Sequence, residues 1–297
     1  MAAVNGILLL DKPRGFSSNQ ALQKARRMLR ADKGGHTGSL DPLATGMLPL
    51  CFGEATKVAG HLLGSRKAYE AEIRLGVTTT TADAEGEVTG RADVPQLDDA
   101  AVADLLGPLV GRIMQRPPAY SALKRDGVPL YRLARRGVEV VTEARPVEVM
   151  ELVLLARSPE TLRIRVVCGT GTYIRSLAVS IGEGAGCGAH LSALRRLWVE
   201  PFEGASMVTL EQLQERCDSH VGGAVDCLLP IGAALATMPR VDLTAAESVR
   251  VRHGNPVERP DLEWTGTCSM HDEAGTLAAL GDRLWTGVVR VRRVFGL

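Results

Sequence analysis

Several things are missing from this chain of 297 residues. It has no Cys-x-x-Cys pair, and its six cysteines, at positions 51, 168, 187, 217, 227 and 268, lie far apart. That spacing argues against a disulfide framework and suits reduced, mostly buried thiols. No apolar run reaches the length of a membrane span, and Ile7 to Leu10 is too short for a signal-peptide core and is closed by Asp11-Lys12. The chain is therefore expected in the cytoplasm, without a membrane partner. Net charge is nearly absent, at +1, and no internal repeat or low-complexity segment is visible. With 45% apolar and 23% charged residues, the composition is that of a globular chain with room for one large domain and a small one.

The charge that is present is unevenly placed. From Lys12 to Lys33 seven basic residues stand against one acid, Asp32; from Lys124 to Arg136 five stand against Asp126, with Tyr120 and Tyr131 on or beside the patch. Basic stripes with interleaved aromatics suit a nucleic-acid phosphate track, and a solvated helix face gives the same pattern, so charge alone leaves both open. Two Cys-x-x-His pairs, Cys187/His190 and Cys217/His220, have the spacing of zinc ligands. One falls in a turn and the other at a helix end, nothing joins them, and no metal site is expected.

Residues 5 to 10 read as a buried strand. "SSNQALQKARRMLR" opens with the capping box Ser17-x-x-Gln20 and continues as an amphipathic helix with its basic face outward. "GEATKVAGHLLG" reads as helical, while "KAYEAEIRLG" alternates, with Tyr69, Ala71, Ile73 and Leu75 on the apolar face. "LDDAAVADLLGPL" predicts a helix, "VEVMELVLLA" and "TLRIRVVC" predict strands, and "YIRSLAVSIGEG" predicts a helix after a glycine-rich turn. This order suggests a mixed-sheet α/β or α+β domain rather than a regular βαβ repeat. Beyond Pro239 short apolar runs alternate with Gly, Asn-Pro and charged turns, the texture of a small β-rich module, and the boundary falls near residue 238.

One stretch stands out. "GGHTGSLDPLATGMLP", Gly34 to Pro49, holds four glycines, two prolines and a single carboxylate, Asp41. Such density predicts a shaped loop with no regular element. Asp-Pro is also a favoured helix start, so Asp41 has a plain alternative as an N-cap. Arg175 falls in the first turn of a predicted helix, where the dipole disfavours a cation, and a carboxylate partner is expected for it.

"GHTGSLDPLATGMLPLCFGEATK", with "DKPRGFSS" before it and "YSALK", "GTYIRSLA" and "CGAHLSALRR" after it, resembles the bacterial TruB family of tRNA pseudouridine synthases, in order from about residue 5 to residue 215. The resemblance implies an α+β architecture: a mixed-sheet catalytic domain over 1–238, an RNA-clasping insertion at about 117–145, and a small PUA-like RNA-binding domain over 239–297. It implies isomerisation of the T-loop uridine conventionally numbered fifty-five into its C-glycoside. That reaction breaks N1–C1′ and rejoins the base through C5, needing neither cofactor nor metal. Asp41 then matches the catalytic aspartate, with attack at C1′, attack at C6 or removal of the 2′ proton all open to it. Tyr69 matches the tyrosine that stacks on the flipped base, and Arg175 the arginine that keeps the aspartate ionised and oriented. His36 matches the group that fills the vacated stack. Asp83 matches a further acid holding the tyrosine or arginine network, and Lys12 and Tyr173 complete the substrate-binding set.

The expected partner is the T arm of tRNA, bound by a monomer without guide RNA. Two departures from the family pattern bear on RNA affinity and on the surroundings of Asp83. Gly169-Thr170 replaces a Ser-Lys, and Thr79-Thr80-Thr81 replaces a Thr-Asp-Thr. A carboxylate-pair hydrolase using Asp41 and Asp83, and a tRNA-folding chaperone with little catalytic role, are the alternatives.

Overall fold

Alternation in the segment Lys67–Leu75 puts Tyr69, Ala71, Ile73 and Leu75 in the interior, and this strand lies mid-sheet. The computed structural model describes residues 4–138, 140–219 and 225–296. Its main sheet has eight strands. They run in the order Gly6–Lys12, Thr45–Phe52, Ala189–Val199, Lys67–Leu75, Thr161–Cys168, Arg145–Arg157 and Gly111–Gln115, with the short Gly34–His36 strand beside Thr45–Phe52. Pairing is antiparallel throughout, except where Thr45 and Gly46 meet Arg195 and Arg196 in parallel. The sheet is thus mixed, as the element order suggested.

One face is packed by the helices Ser18–Met28, Asp99–Leu106, Ile174–Gly184 and Leu210–Ser219. The first of these begins with the expected capping box, Ser17 with Gln20, and turns Ala21, Leu22 and Ala25 inward. The other face carries Ile7, Leu9, Met47 and Cys51 against the short turns of helix at Gly53–Lys57, Ala59–Leu63 and Ile231–Leu235. Only part of "GEATKVAGHLLG" is α-helical, since its first five residues form a 3₁₀ turn.

The C-terminal region builds a separate five-stranded sheet, Arg240–Asp242, Gly266–His271, Leu277–Arg283, Val288–Val294 and Val257–Glu258 in spatial order. A helix that the sequence reading did not anticipate, Ala245–Arg252, packs on it. Leu277, Leu280 and Phe295 of this region join the second face of the main sheet, and the Lys57 ammonium donates to the Val294 carbonyl at 2.9 Å. No helix among the described residues is long and apolar enough to cross a membrane.

The glycine-rich stretch departs from its expectation. Gly34–His36 and Thr45–Phe52 are strands, so the loop proper is residues 37–44. Gly6–Lys12 occupies one edge of Thr45–Phe52 along its length. The other edge is shared, with Gly34–His36 pairing at Leu50–Phe52 and Ala189–Val199 at Thr45–Gly46. Pro49 falls in the interval between these partners. Its carbonyl faces the Thr37 amide at 3.2 Å, so its donor-less nitrogen turns to the same interval and removes no ladder bond. Gly46 is the second special position. Its φ is +96°, and a Cβ there would stand 2.1 Å from the Arg196 carbonyl oxygen.

Gly46→Ala is therefore expected to destabilise the protein by well over about 1 kcal/mol, read as a lowered urea midpoint. Gly15→Ala is the control, with a φ of +85° but nothing within 4 Å of the added Cβ. Equal losses in the two variants would show that strain alone, and not the close approach, governs Gly46.

Candidate active site

The loop from Thr37 to Ala44 is held residue by residue. The Thr37 amide donates to the Pro49 carbonyl, and the Ala44 amide closes a turn onto the Asp41 carbonyl at 3.0 Å. No helix begins at Asp41, because Pro42 and Leu43 form that turn and the strand follows at Thr45; the N-cap alternative is not realised. From the other side comes the "DKPRGFSS" segment. The buried Ser18 hydroxyl donates to the Leu40 carbonyl at 3.1 Å and accepts from the Leu40 amide at 2.7 Å. The Gly15 amide donates to the Pro42 carbonyl at 2.8 Å. Asp41 is thus gripped through both of its chain neighbours.

Its carboxylate meets Arg175, with Nε 3.0 Å from Asp41 Oδ2. The same guanidinium lies 3.6 Å, through Nη1, from Asp83 Oδ2 and donates to the Thr81 carbonyl at 3.0 Å. Its Nη2 donates to the Tyr120 carbonyl at 2.8 Å. The carboxylate partner expected from the helix position of Arg175 is present, and there are two. The side chains of Arg175 and Asp83 are 6% and 4% exposed, whereas that of Asp41 is 41% exposed. Asp83 is fixed by Thr81 Oγ1 at 2.5 Å and by the Glu85 amide at 3.1 Å, while Thr79 Oγ1 donates to its carbonyl at 2.7 Å. Two of the three threonines thus brace the Asp83 turn, and Thr80 accepts from the Glu87 amide at 3.1 Å.

Electrostatics around Asp41 are set by crowding. The carboxyl is ringed by protein atoms although part of it meets water, and this desolvation lifts its pKa above the ordinary aspartate value. Arg175 and Lys12 pull it down, and Asp83 adds to the rise. The sequence reading gave Arg175 the upper hand; desolvation outweighs it here. Burial likewise pushes the Lys12 ammonium down to about 8, against the pull of Asp41 and Glu85. Tyr69 belongs to the interior cluster and is 8% exposed, and burial raises the pKa of its hydroxyl. His36 ends the Gly34–His36 strand, half-buried, with no hydrogen bond to Nδ1; desolvation and the nearby Arg196 charge lower its pKa and favour the neutral ring.

The structure brings Asp41, Arg175 and Asp83 into contact; Tyr69 lies within electrostatic reach of Asp41, and Tyr69 and His36 both lie near Arg196. Lys12 is nearby but fully buried, its Nζ donating to the Pro13 and Phe16 carbonyls at 2.9 and 2.6 Å. It shapes the segment that carries Gly15 and Ser18 and acts on Asp41 through its field. Tyr173 precedes the helix carrying Arg175, and burial raises the pKa of its hydroxyl. Of the paired Cys and His residues, His190 Nδ1 is engaged with the Val77 carbonyl at 2.8 Å, and His220 lies outside the described residues. No cluster of three metal-ligating side chains occurs among the described residues.

Sequence reasoning missed Arg196, 1% exposed, whose Nε donates to the Met47 carbonyl at 2.6 Å and Nη2 to the Gly38 carbonyl at 3.3 Å, bracing the loop from beneath. It also missed Ser18 as the grip on Leu40. The cue was present only as the second serine of "DKPRGFSS", which capping logic passes over in favour of Ser17.

The model of the N-terminal domain of TruB family pseudouridylate synthase matches residues 26–174, and that of the tRNA pseudouridylate synthase B C-terminal domain matches 175–236. A tRNA pseudouridine synthase B from Xanthomonas campestris is 54% identical over 278 residues, 94% of this chain and 90% of its own. One from Xylella fastidiosa is 51% identical over 295 residues, 99% of this chain and 97% of its own. Among solved structures, a chain of an H/ACA RNP bound to a substrate RNA containing 2′-deoxyuridine superposes with a TM-score of 0.77 at 25% identity, covering 98% of this chain and 85% of that one.

Ser18→Ala removes both bonds to Leu40 and leaves two backbone groups unanswered. A stability loss of about 1–3 kcal/mol is expected by chemical denaturation. An unchanged midpoint would show that the loop holds Leu40 without it.

Proposed function

The chain belongs to the TruB family of pseudouridine synthases, and from that premise we propose that it isomerises a uridine of tRNA to pseudouridine, with Asp41 as the catalytic carboxylate. The observation that carries the assignment is the asymmetry at Arg175. Of the two acids it holds, Asp83 is sealed in and hydrogen-bonded, while Asp41 is open to a ligand and forms no hydrogen bond through Oδ1 among the described residues. Attack at C1′, attack at C6 and removal of the 2′ proton all need an ionised aspartate with one oxygen free, and Asp41 supports each. The atoms balance without a cofactor. N1–C1′ breaks, C5–C1′ forms, the hydrogen at C5 leaves to solvent as a proton, and N1 gains one.

The target base must leave its stack to reach Asp41. His36, half-buried and with its pKa lowered toward the neutral ring, is assigned to the vacated position, and Tyr69, within electrostatic reach of Asp41, to the flipped uracil. Arg175 orients Asp41, and Asp83 orients Arg175. We assign chemistry to 1–238 and an RNA-binding, PUA-like role to 239–297. The T arm is the expected target, engaged by a cytoplasmic monomer without guide RNA. The insertion at about 117–145 supports this by offering Lys124, Arg125, Arg132, Arg135 and Arg136 at the surface, the guanidinium carbons of Arg132 and Arg135 lying 6.0 and 5.8 Å from the centre of the Tyr131 ring. A chaperone alone would have no use for an accessible carboxylate paired with a buried guanidinium.

Tritium release from 5-labelled uridine in unmodified tRNA tests the reaction, and free uracil instead of tritium would mark a hydrolase. Asp41→Asn should abolish release by orders of magnitude while tRNA binding stays close to wild type; substantial turnover by the pure variant would remove Asp41 from the mechanism. Because turnover needs the ionised form and the pKa of Asp41 is raised, the acid limb of kcat/KM should lie above the titration of an ordinary aspartate and activity should fall as pH drops through it. Neutralising Arg26, Arg27 and Arg30 together should weaken tRNA binding and flatten its salt dependence, and an unchanged slope would place the Ser18–Met28 helix away from the RNA.

A further inference from the structure

Gln115 closes the strand Gly111–Gln115, pairs across the sheet with Arg145, and so stands at the neck of the insertion. It is 5% exposed and polar, and its amide is used twice on one residue. Gln115 Oε1 accepts from the Tyr173 amide at 2.8 Å, and Gln115 Nε2 donates to the Tyr173 carbonyl at 3.1 Å. A side chain here does what a neighbouring strand would do. Tyr173 is the residue before the helix Ile174–Gly184, and no side chain of its own caps that helix. The next contact repeats the pattern, with the Ser176 hydroxyl donating to the Arg116 carbonyl at 2.7 Å. Between these two anchored residues lies Arg175, whose guanidinium spans Asp41, Asp83, Thr81 and Tyr120.

We propose that Gln115 is a positioning residue for the isomerase reaction: by clamping the Tyr173 main chain to the neck of the insertion, it sets where the Arg175 guanidinium meets Asp41. The inference rests on the reading of Asp41 and Arg175 given above. The residue touches neither substrate nor the reacting carboxylate. Its effect reaches Asp41 through a two-residue segment of helix start, where a displacement of about 1 Å in the guanidinium is enough to cost about 100-fold in rate. The same arrangement ties the insertion to the carboxylate, because Gln115 at its neck holds the Tyr173 main chain while the Tyr120 carbonyl just inside it holds the Arg175 guanidinium.

Gln115→Met keeps the volume and loses both bonds. In the tritium-release assay over a range of pH, the variant should show kcat lowered about 10- to 100-fold with KM for tRNA near wild type. Its acid limb should move to higher pH, because a loosened Arg175 lowers the pKa of Asp41 less. Gln115→Asn, with the same groups on a stem one methylene too short to reach both atoms of Tyr173, should shift the limb in the same direction and decides the matter if the Met variant does not fold. Wild-type kcat with an unmoved limb in a folded variant overturns the proposal. So does a loss of equal size at every pH with the midpoint unmoved, since that marks a merely structural residue. Absence of release by the wild-type protein in the same assay would overturn the isomerase reading itself, separately from Gln115.

Discussion

A buried guanidinium must be answered on every side, and the active end of this molecule is organised by the answer to Arg175. Leaving such a group with no acid at all would strand a buried charge at a cost of about 3–5 kcal/mol, and Arg175 has two. The first turn of a helix makes matters harder, since its dipole repels a cation. Arg175 is placed there nonetheless, and segments far apart in the chain converge on it: the loop of Asp41, the turn of Thr81 and Asp83, and the start of the insertion at Tyr120. One side chain thereby fixes the mutual position of three excursions from the sheet.

The same region is unusual in its inventory of cations. Lys12, Lys67 and Arg196 are all nearly or wholly buried, and their polar atoms are spent on backbone carbonyls, and for Arg196 also on the Tyr69 hydroxyl, rather than on carboxylates. Desolvation brings both lysines down to about 8. This arrangement leaves the carboxylates free for Arg175 while keeping positive potential beneath the loop, a field that favours the ionised form of Asp41 and the approach of a phosphate backbone.

Much of the fold was legible because its signals are local. The Ser17 and Gln20 capping box sits within four residues, and the alternation that buries Tyr69 runs along one strand. The need of Arg175 for a carboxylate followed from helix position, and the identity of Asp41 followed from motif resemblance. What was illegible depends on distant pairs of ordinary residues: Ser18 reaches Leu40 across 22 positions, Gln115 reaches Tyr173 across 58, and Arg196 reaches Met47 across 149. The inward turn of the Lys12 ammonium was not legible, because a lysine in a basic stripe gives no hint of it. The strand Thr45–Phe52 was hidden by Gly46 and Pro49, each of which is tolerated only because of what lies across the sheet from it.

Surface loops ordinarily absorb added or lost residues with little consequence. The segment between His36 and Thr45 has no such slack. Thr37, Gly38, Leu40, Pro42 and Ala44 each have a main-chain bond to the frame or to the turn itself, and the strands at either end are locked in register to each other. A single inserted or deleted residue would break the sequence of grips and carry Asp41 out of line with Arg175. Lengthening and shortening are therefore closed to this loop as routes of divergence, and variation has to enter by substitution alone, at positions such as the exposed Ser39, whose main chain the frame does not hold.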